Sequence, residues 1–317
     1  MRTLARVGLA RMVWRTSKYA PRLKDKSTRR NHHTAKPDST RVGLFVFHAF
    51  APSESTSFPA MNTLTAPPPT RPGPPRPFPR SLPPRQPVQL ELPAISFFGR
   101  TLAEYAQFFA LDLNALRGRD VLDVAAGPSS FAAEARVRKI DAVAIDPLYG
   151  APVGDLAAKI ESDYARMFAQ MRAKPRLFRL KSFPSIDAAE ADRRLAAQRF
   201  LADYDAQRLY GRYVCGALPR LPFFDGTFDL VLCAHLLFTY AARFDFDWHL
   251  AACRELVRVS AGEVRIHPLC GPDGKNYPGL ARLRRELKAG GIASEVRAVD
   301  YEFFAGADSM LVLTKTS

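Results

Sequence analysis

Asp123 and Asp146 lie 23 residues apart, the first within the apolar run VLDV and the second at the end of AVAID, and the small residues Ala125, Gly127 and Ser129 form the turn after the first. A strand that feeds a tight turn and then a helix, here FAAEARVRK, aims backbone N–H groups and the positive end of the helix dipole at a ligand. That is a nucleotide-type site. A carboxylate at the end of the second strand is placed to accept ribose hydroxyls, the role expected of Asp146; a helix N-cap before Pro147 is the other role open to it. His235 follows a third apolar run, FDLVLC. An imidazole at that carboxyl edge titrates near neutral pH and can act as a base, whereas a satisfied histidine at a strand end reads the same.

The elements that position these residues alternate. Phe97 to Leu111 carries Leu102, Tyr105, Ala106 and Phe109 at helical spacing, with Thr101 as N-cap and Glu104 three residues on. After the Asp146 strand, Leu156, Ile160, Tyr164, Met167, Phe168 and Met171 mark an amphipathic helix. A second is expected over Ala188 to Leu209, with Leu195, Phe200, Leu201 and Tyr204 inward. Strands are expected at Tyr213 to Cys215, Phe228 to Cys233 and Glu263 to His267, the last after a turn at Ser260 to Gly262. Helices follow at Trp248 to Val259 and Leu280 to Ala289, and Ser294 to Val299 and Met310 to Lys315 close the chain as a strand pair. This alternation predicts an α/β fold around a mostly parallel sheet.

VLDVAAGPSSF resembles motif I of the class I S-adenosylmethionine (SAM) dependent methyltransferases, VLDxGxGxG, with Ala125 at the first glycine, Gly127 keeping the second and Ser129 replacing the third. GALPRLPFFDGTFDLVLCAHLLF is similar, in register, to their GDAxxLPFxDxxFDxVxxxxxL, and WHLAACRELVRV to the helix after it. The resemblance covers Phe97 to Lys315 and leaves an insertion at about 150–212 unmatched. It implies a Rossmann-like, doubly wound, seven-stranded sheet, mostly parallel with one antiparallel strand, plus an inserted helical cap over 93–317.

The same resemblance implies a cofactor, SAM. Ala125 to Ser129 would lie under its methionyl part, with Asp123 orienting the turn or meeting the amino group through water. Asp146 and Pro147 would sit at the ribose, and Ala217, Leu218 and Ala234 at the base and the strand end. Ala217 stands where relatives carry an acceptor for the adenine amino group. The residues after the fourth strand, Ala234–His235–Leu236–Leu237, lack the Asn/Asp-Pro-Pro-aromatic turn of enzymes that methylate nucleic-acid bases. The GxGxxG of a nicotinamide dehydrogenase is absent too. What remains is transfer to O, N or C of a small-molecule or lipid-like acceptor, anionic or acyl-bearing, with His235 as base and Arg100, Tyr105, Tyr149 and Tyr240 as contacts. A non-catalytic SAM-fold binding partner is the alternative.

Charge separates the chain into two parts. Residues 1–90 hold 16 Lys/Arg and 3 Asp/Glu, and residues 91–317 hold 30 and 28, so the excess of +15 belongs almost wholly to the leader. The near-neutral remainder disfavours nucleic acid as a partner. The leader is dense in proline from residue 66 and reads as disordered to residue 92. Its Arg-rich start fits a transit peptide, a cationic surface helix, or a frame whose working start is Met61. From Arg166 to Lys181 six cations stand without an acid, either a solvated face or a mouth for anions. Cys215, Cys233, Cys253 and Cys270 have neither disulfide nor zinc spacing, so reduced, mostly buried thiols, no metal and a cytoplasmic location are expected.

Overall fold

The computed structural model of the chain describes residues 89–316. The leader, its possible start at Met61 and nearly all of the proline-rich stretch lie outside the described residues. Within them the element order is α1 (Leu102–Phe108), β1 (Asp120–Val124), α2 (Phe131–Val137), β2 (Asp141–Asp146), α3 (Val153–Ala173) and α4 (Ile186–Gln207). There follow β3 (Tyr213–Cys215), β4 (Phe228–Ala234), α5 (Phe246–Val259), β5 (Ser260–His267), α6 (Leu280–Ala289), β6 (Ile292–Ala298) and β7 (Ser309–Lys315).

The seven strands form one sheet in the order β3-β2-β1-β4-β5-β7-β6. β1 to β5 pair in parallel, and β7 runs antiparallel to both β5 and β6. Because side chains alternate along a strand, β1 sends Val121 to one face and Leu122 and Val124 to the other. Helices α1 to α4 pack on the first face and α5 and α6 on the second. A sheet covered on both sides requires near-continuous apolar strands, which is why VLDV and FDLVLC carry so few polar residues.

Two local expectations are corrected. Ser260 to Gly262 is not a turn before β5 but its first three residues, with a register shift against β4 between Phe228 and Leu230. On α4, Leu195 points outward at 42% exposure and Leu201 is only half-buried. The inward face is taken by Ala189, Arg193, Ala196, Ala197, Phe200 and Tyr204. Arg193 is the cause: a fully buried guanidinium occupies the place an apolar side chain was expected to hold.

Helix α1 starts as its sequence requires, with the Thr101 hydroxyl accepting from the Glu104 amide. The Glu104 side chain, however, does not turn back to complete a capping box. It meets Arg193 through Nε (3.2 Å) and Nη2 (2.7 Å), and Tyr301 donates to it at 2.6 Å. The Arg193 guanidinium lies 3.8 Å from the centre of the Phe303 ring. This buried knot joins α1, α4 and the segment between β6 and β7. Among the described residues no helix is long and apolar enough to cross a membrane, and no group of three His, Cys, Asp or Glu is placed to hold a metal.

Candidate functional site

The turns that leave β1 to β5 converge at one end of the sheet, where the strand order reverses between β1 and β4. Open α/β sheets bind ligands at this crevice. A cavity of about 400 Å³ lies there, within the roughly 300–1,000 Å³ usual for small-molecule sites. Ala125 to Gly127, Asp146 to Leu148, Gly216 to Leu218 and Ala234 to Leu236 line one part of it. Residues from α3 and the loops after β4 and β5 line the other.

In the turn after β1, Ala125 and Gly127 both take left-handed backbone, with φ of 55° and 56°. The amides of Ala126, Gly127, Ser129, Ser130 and Phe131 are used internally. Ala126 donates to the Ile145 carbonyl (3.2 Å), Gly127 to Asp146 Oδ2 (3.1 Å) and Ser129 to the Ala126 carbonyl (3.3 Å). Ser130 donates to the Arg100 carbonyl (3.1 Å) and Phe131 to Ser129 Oγ (3.1 Å), while Pro128 has no N–H. The expectation of amides aimed at a ligand is therefore corrected. Their protons are already bonded, and the turn offers a close, small-residue surface in place of a phosphate cradle.

Asp146 is 7% exposed and faces the cavity. Its Oδ1 accepts from the Leu148 amide at 2.9 Å and its Oδ2 from Gly127, leaving lone pairs on both oxygens. Burial raises its carboxyl to about 6, against the pull of those two amides and of Lys159. Asp123 is fully buried and does not reach the cavity; both its oxygens accept from the Tyr105 hydroxyl at 3.1 Å, and burial holds its carboxyl well above the usual range. Tyr105 thus seals Asp123 beneath the floor, which removes it from contact with a ligand amino group.

Of the other expected contacts, Gly127, Pro147, Ala217, Leu218, Ala234, His235, Arg100, Tyr105 and Tyr240 line the cavity. Ser129 and Tyr149 do not. Ser129 Oγ donates to the Arg100 carbonyl and supports the first turn of α2. Tyr149 is drawn into a cluster with Phe200, Tyr204 and Tyr213, and its hydroxyl donates to the Gly127 carbonyl at 2.6 Å, bracing the turn from behind. Of the two readings open for the six cations from Arg166 to Lys181, the mouth for anions loses four of them to ion pairs: Arg166 pairs with Asp163, Arg172 with Asp187 and Glu190, Lys174 with Glu91 and Lys181 with Asp300.

The N-terminal segment 89–100 runs along the cavity, so the expected leader boundary at residue 92 is corrected: 89–92 belong with the folded part. Leu90 donates to the Pro272 carbonyl, Ser96 to the Tyr240 hydroxyl, Phe97 to Asp163 and Gly99 to the Tyr164 hydroxyl. A Cβ on Gly99 would stand 2.0 Å from the Pro128 carbonyl oxygen, so only glycine lets this segment press on the β1 turn. The apolar string LPAISFF after the proline-rich stretch was the available signal.

His235 follows β4 with φ of 51°, its amide donating to the His267 carbonyl at 2.6 Å. Its ring meets Phe108 and His267 edge-on. The expected titration near neutral pH is corrected: burial, with the Arg100 charge next in effect, holds the His235 pKa well below the usual value, so the imidazole is neutral. Five buried side-chain nitrogen or oxygen atoms among the described residues have no partner, and three belong to cavity residues: Arg100 Nε, His235 Nε2 and Thr239 Oγ1. Buried polar atoms are normally bonded, and a cluster of orphans around one cavity marks a place for a polar ligand.

The sheet order with β7 reversed between β5 and β6, and the cavity over β1, β2 and β4, decide the architecture. The chain has the class I methyltransferase fold. No protein-family model matches it. The uncharacterized protein MJ0045 of Methanocaldococcus jannaschii is 28% identical over 227 residues, covering 71% of this chain and 99% of that one. A TehB-like SAM-dependent methyltransferase from Corynebacterium glutamicum is 16% identical, with 64% of this chain and 87% of that one aligned at a TM-score of 0.35. For the 1,6-didemethyltoxoflavin-N1-methyltransferase of Burkholderia thailandensis the figures are 16%, 66%, 76% and 0.37.

Proposed function

We propose that the chain is a SAM-dependent methyltransferase acting on O, N or C of a small-molecule acceptor. The observation that carries this reading is the turn after β1. Its amides at Ala126, Gly127, Ser129, Ser130 and Phe131 are bonded internally, which disfavours a pyrophosphate, and it opens onto a buried carboxylate and an apolar chamber. A cofactor with a ribose and no phosphate fits those residues.

Bound there, SAM supplies a methyl group on a sulfonium that is already a good leaving group. The chain's own part is alignment. Asp146 would accept the ribose hydroxyls, and the Ala125 to Gly127 turn would admit the methionyl part. Gly216 to Leu218 would give the base apolar and backbone contacts. Tyr105 and the 89–100 segment would exclude water. Neutral His235, with an unpartnered Nε2, would take a proton from an acceptor that must lose one.

Calorimetric titration of SAM and of S-adenosylhomocysteine into the full chain is the first test. Binding is expected, and Asp146→Ala should weaken it about tenfold to a hundredfold, the loss of charge-assisted hydrogen bonds. Once an acceptor is found, His235→Gln should lower kcat by about 10²- to 10⁴-fold with little change in cofactor affinity. The absence of an acid at Ala217 favours one second reading, a non-catalytic binding protein. No heat and no thermal shift with either compound would favour that reading.

A further inference from the structure

The cavity continues past the cofactor part into a chamber whose walls are apolar. Met167 and Met171 come from α3, Phe178 follows it, Phe304 precedes β7, and Leu90 and Pro272 close the side. Arg100 is the exception. Its Nη1 donates to the Phe98 carbonyl at 3.2 Å, its Nε is buried without a partner, and no carboxylate among the described residues forms an ion pair with it. The neighbouring Arg193 is already matched by Glu104. Arg100 is half-buried and lines the cavity.

A buried guanidinium without an anion is costly unless a ligand supplies one. Its position says which ligand. Arg100 lines the cavity together with His235 and Thr239, whose Nε2 and Oγ1 are likewise buried without partners, while Lys159, which also lines it, is paired with Asp163 at 2.9 Å. Arg100 therefore stands where an acceptor would meet the proposed base.

We propose that the acceptor is an amphiphilic carboxylic acid whose apolar body fills the chamber among Met167, Met171, Phe178 and Phe304 and whose carboxylate pairs with Arg100. This rests on the methyltransferase reading for the word acceptor, though the acid site itself does not. A planar carboxylate matches the fork of a guanidinium, and the apolar walls reject small hydrophilic acids.

The test is calorimetry on the full chain near neutral pH, with and without saturating S-adenosylhomocysteine, using octanoate and phenylbutanoate against octanol and phenylbutanol. The wild-type chain is expected to prefer each acid over its alcohol by about tenfold or more, the usual worth of a charge-assisted bond. Arg100→Met should erase that preference and Arg100→Lys should keep part of it. Equal binding of acid and alcohol, or binding of neither acid, overturns the proposal without any variant. Arg100→Met that weakens S-adenosylhomocysteine and leaves the acid preference intact also overturns it, because Arg100 would then hold the cofactor's own carboxylate. Acid preference with no S-adenosylhomocysteine binding supports the acid site while rejecting the methyltransferase reading.

Discussion

The two walls of the cavity are built by different means. The wall over β1, β2 and β3 is mostly main chain and small residues: a turn of left-handed backbone, amides bonded to one another, and a single carboxylate. The other wall is side chain: Arg100, His235, Thr239, the two methionines of α3 and, behind them, the Glu104–Arg193 pair. A main-chain wall fixes shape and tolerates little change in it. A side-chain wall fixes charge and apolar surface, and it depends on elements far apart in sequence meeting correctly.

The largest expected effect tests that dependence. Glu104→Ala leaves Arg193 fully buried without its carboxylate and removes the Tyr301 hydrogen bond. Breaking one partner of a buried pair costs about 3–5 kcal/mol. Denaturant unfolding should show a loss of that size, and a loss under about 1 kcal/mol would mean the pair is not what holds α1 to α4.

The walls should also respond to pH with opposite sign. Burial would raise the Glu104 carboxyl, but the charge and hydrogen bonds of Arg193 outweigh it and leave it below its usual 4.5. Its contribution is present above the unfolded value and is lost as pH falls through the lower folded one. Asp146, raised from 3.8 to about 6, holds its proton more tightly in the folded chain. Stability therefore declines as pH rises between those two values, by about 3 kcal/mol at most, and is level above. Ribose hydroxyls donate to the ionised form, so S-adenosylhomocysteine affinity should climb about tenfold per unit as pH rises toward 6 and then flatten. Titrations across pH 5 to 8 check this against Asp146→Asn, which should be flat; a wild-type chain equally flat below pH 6 would remove Asp146 from cofactor binding.

The main-chain wall was legible in the sequence because its parts are local. VLDVAAGPSSF, AVAID and FDLVLC each carry their meaning within a dozen residues, and the structure places Asp146, Gly127, Ala217 and Ala234 together at the strand ends. The side-chain wall was not. Nothing in α4 announces that Arg193 turns inward, since an arginine at a helix face is usually solvated. The acids that neutralise Arg166, Arg172, Lys174 and Lys181 include residues as remote as Glu91 and Asp300, which no window along the chain brings together. Ser129 and Tyr149 failed as cavity contacts for a related reason: sequence marks a residue as near a turn without saying which side of it the side chain takes.

The smallest predicted effect is the sharpest test of the main-chain wall. Ala125 has φ of 55°, where a Cβ costs about 1–2 kcal/mol, and Gly127 has φ of 56° with no such cost. Ala125→Gly removes that strain but adds about 0.5–1 kcal/mol of unfolded-chain entropy, so stability should rise by about 1 kcal/mol or less. Gly127→Ala should do the reverse, losing about 1 kcal/mol or less. A Cβ there would stand 3.6 Å from the Phe98 amide nitrogen, an ordinary contact, so that loss reports backbone conformation and not a clash. Opposite signs in thermal unfolding, with S-adenosylhomocysteine affinity unchanged in Ala125→Gly, would show that the missing first glycine weakens the turn's stability and leaves its ligand surface intact. Equal losses in both variants would mean that the turn is held by its neighbours, Gly99 and Tyr149, more than by its own dihedral angles.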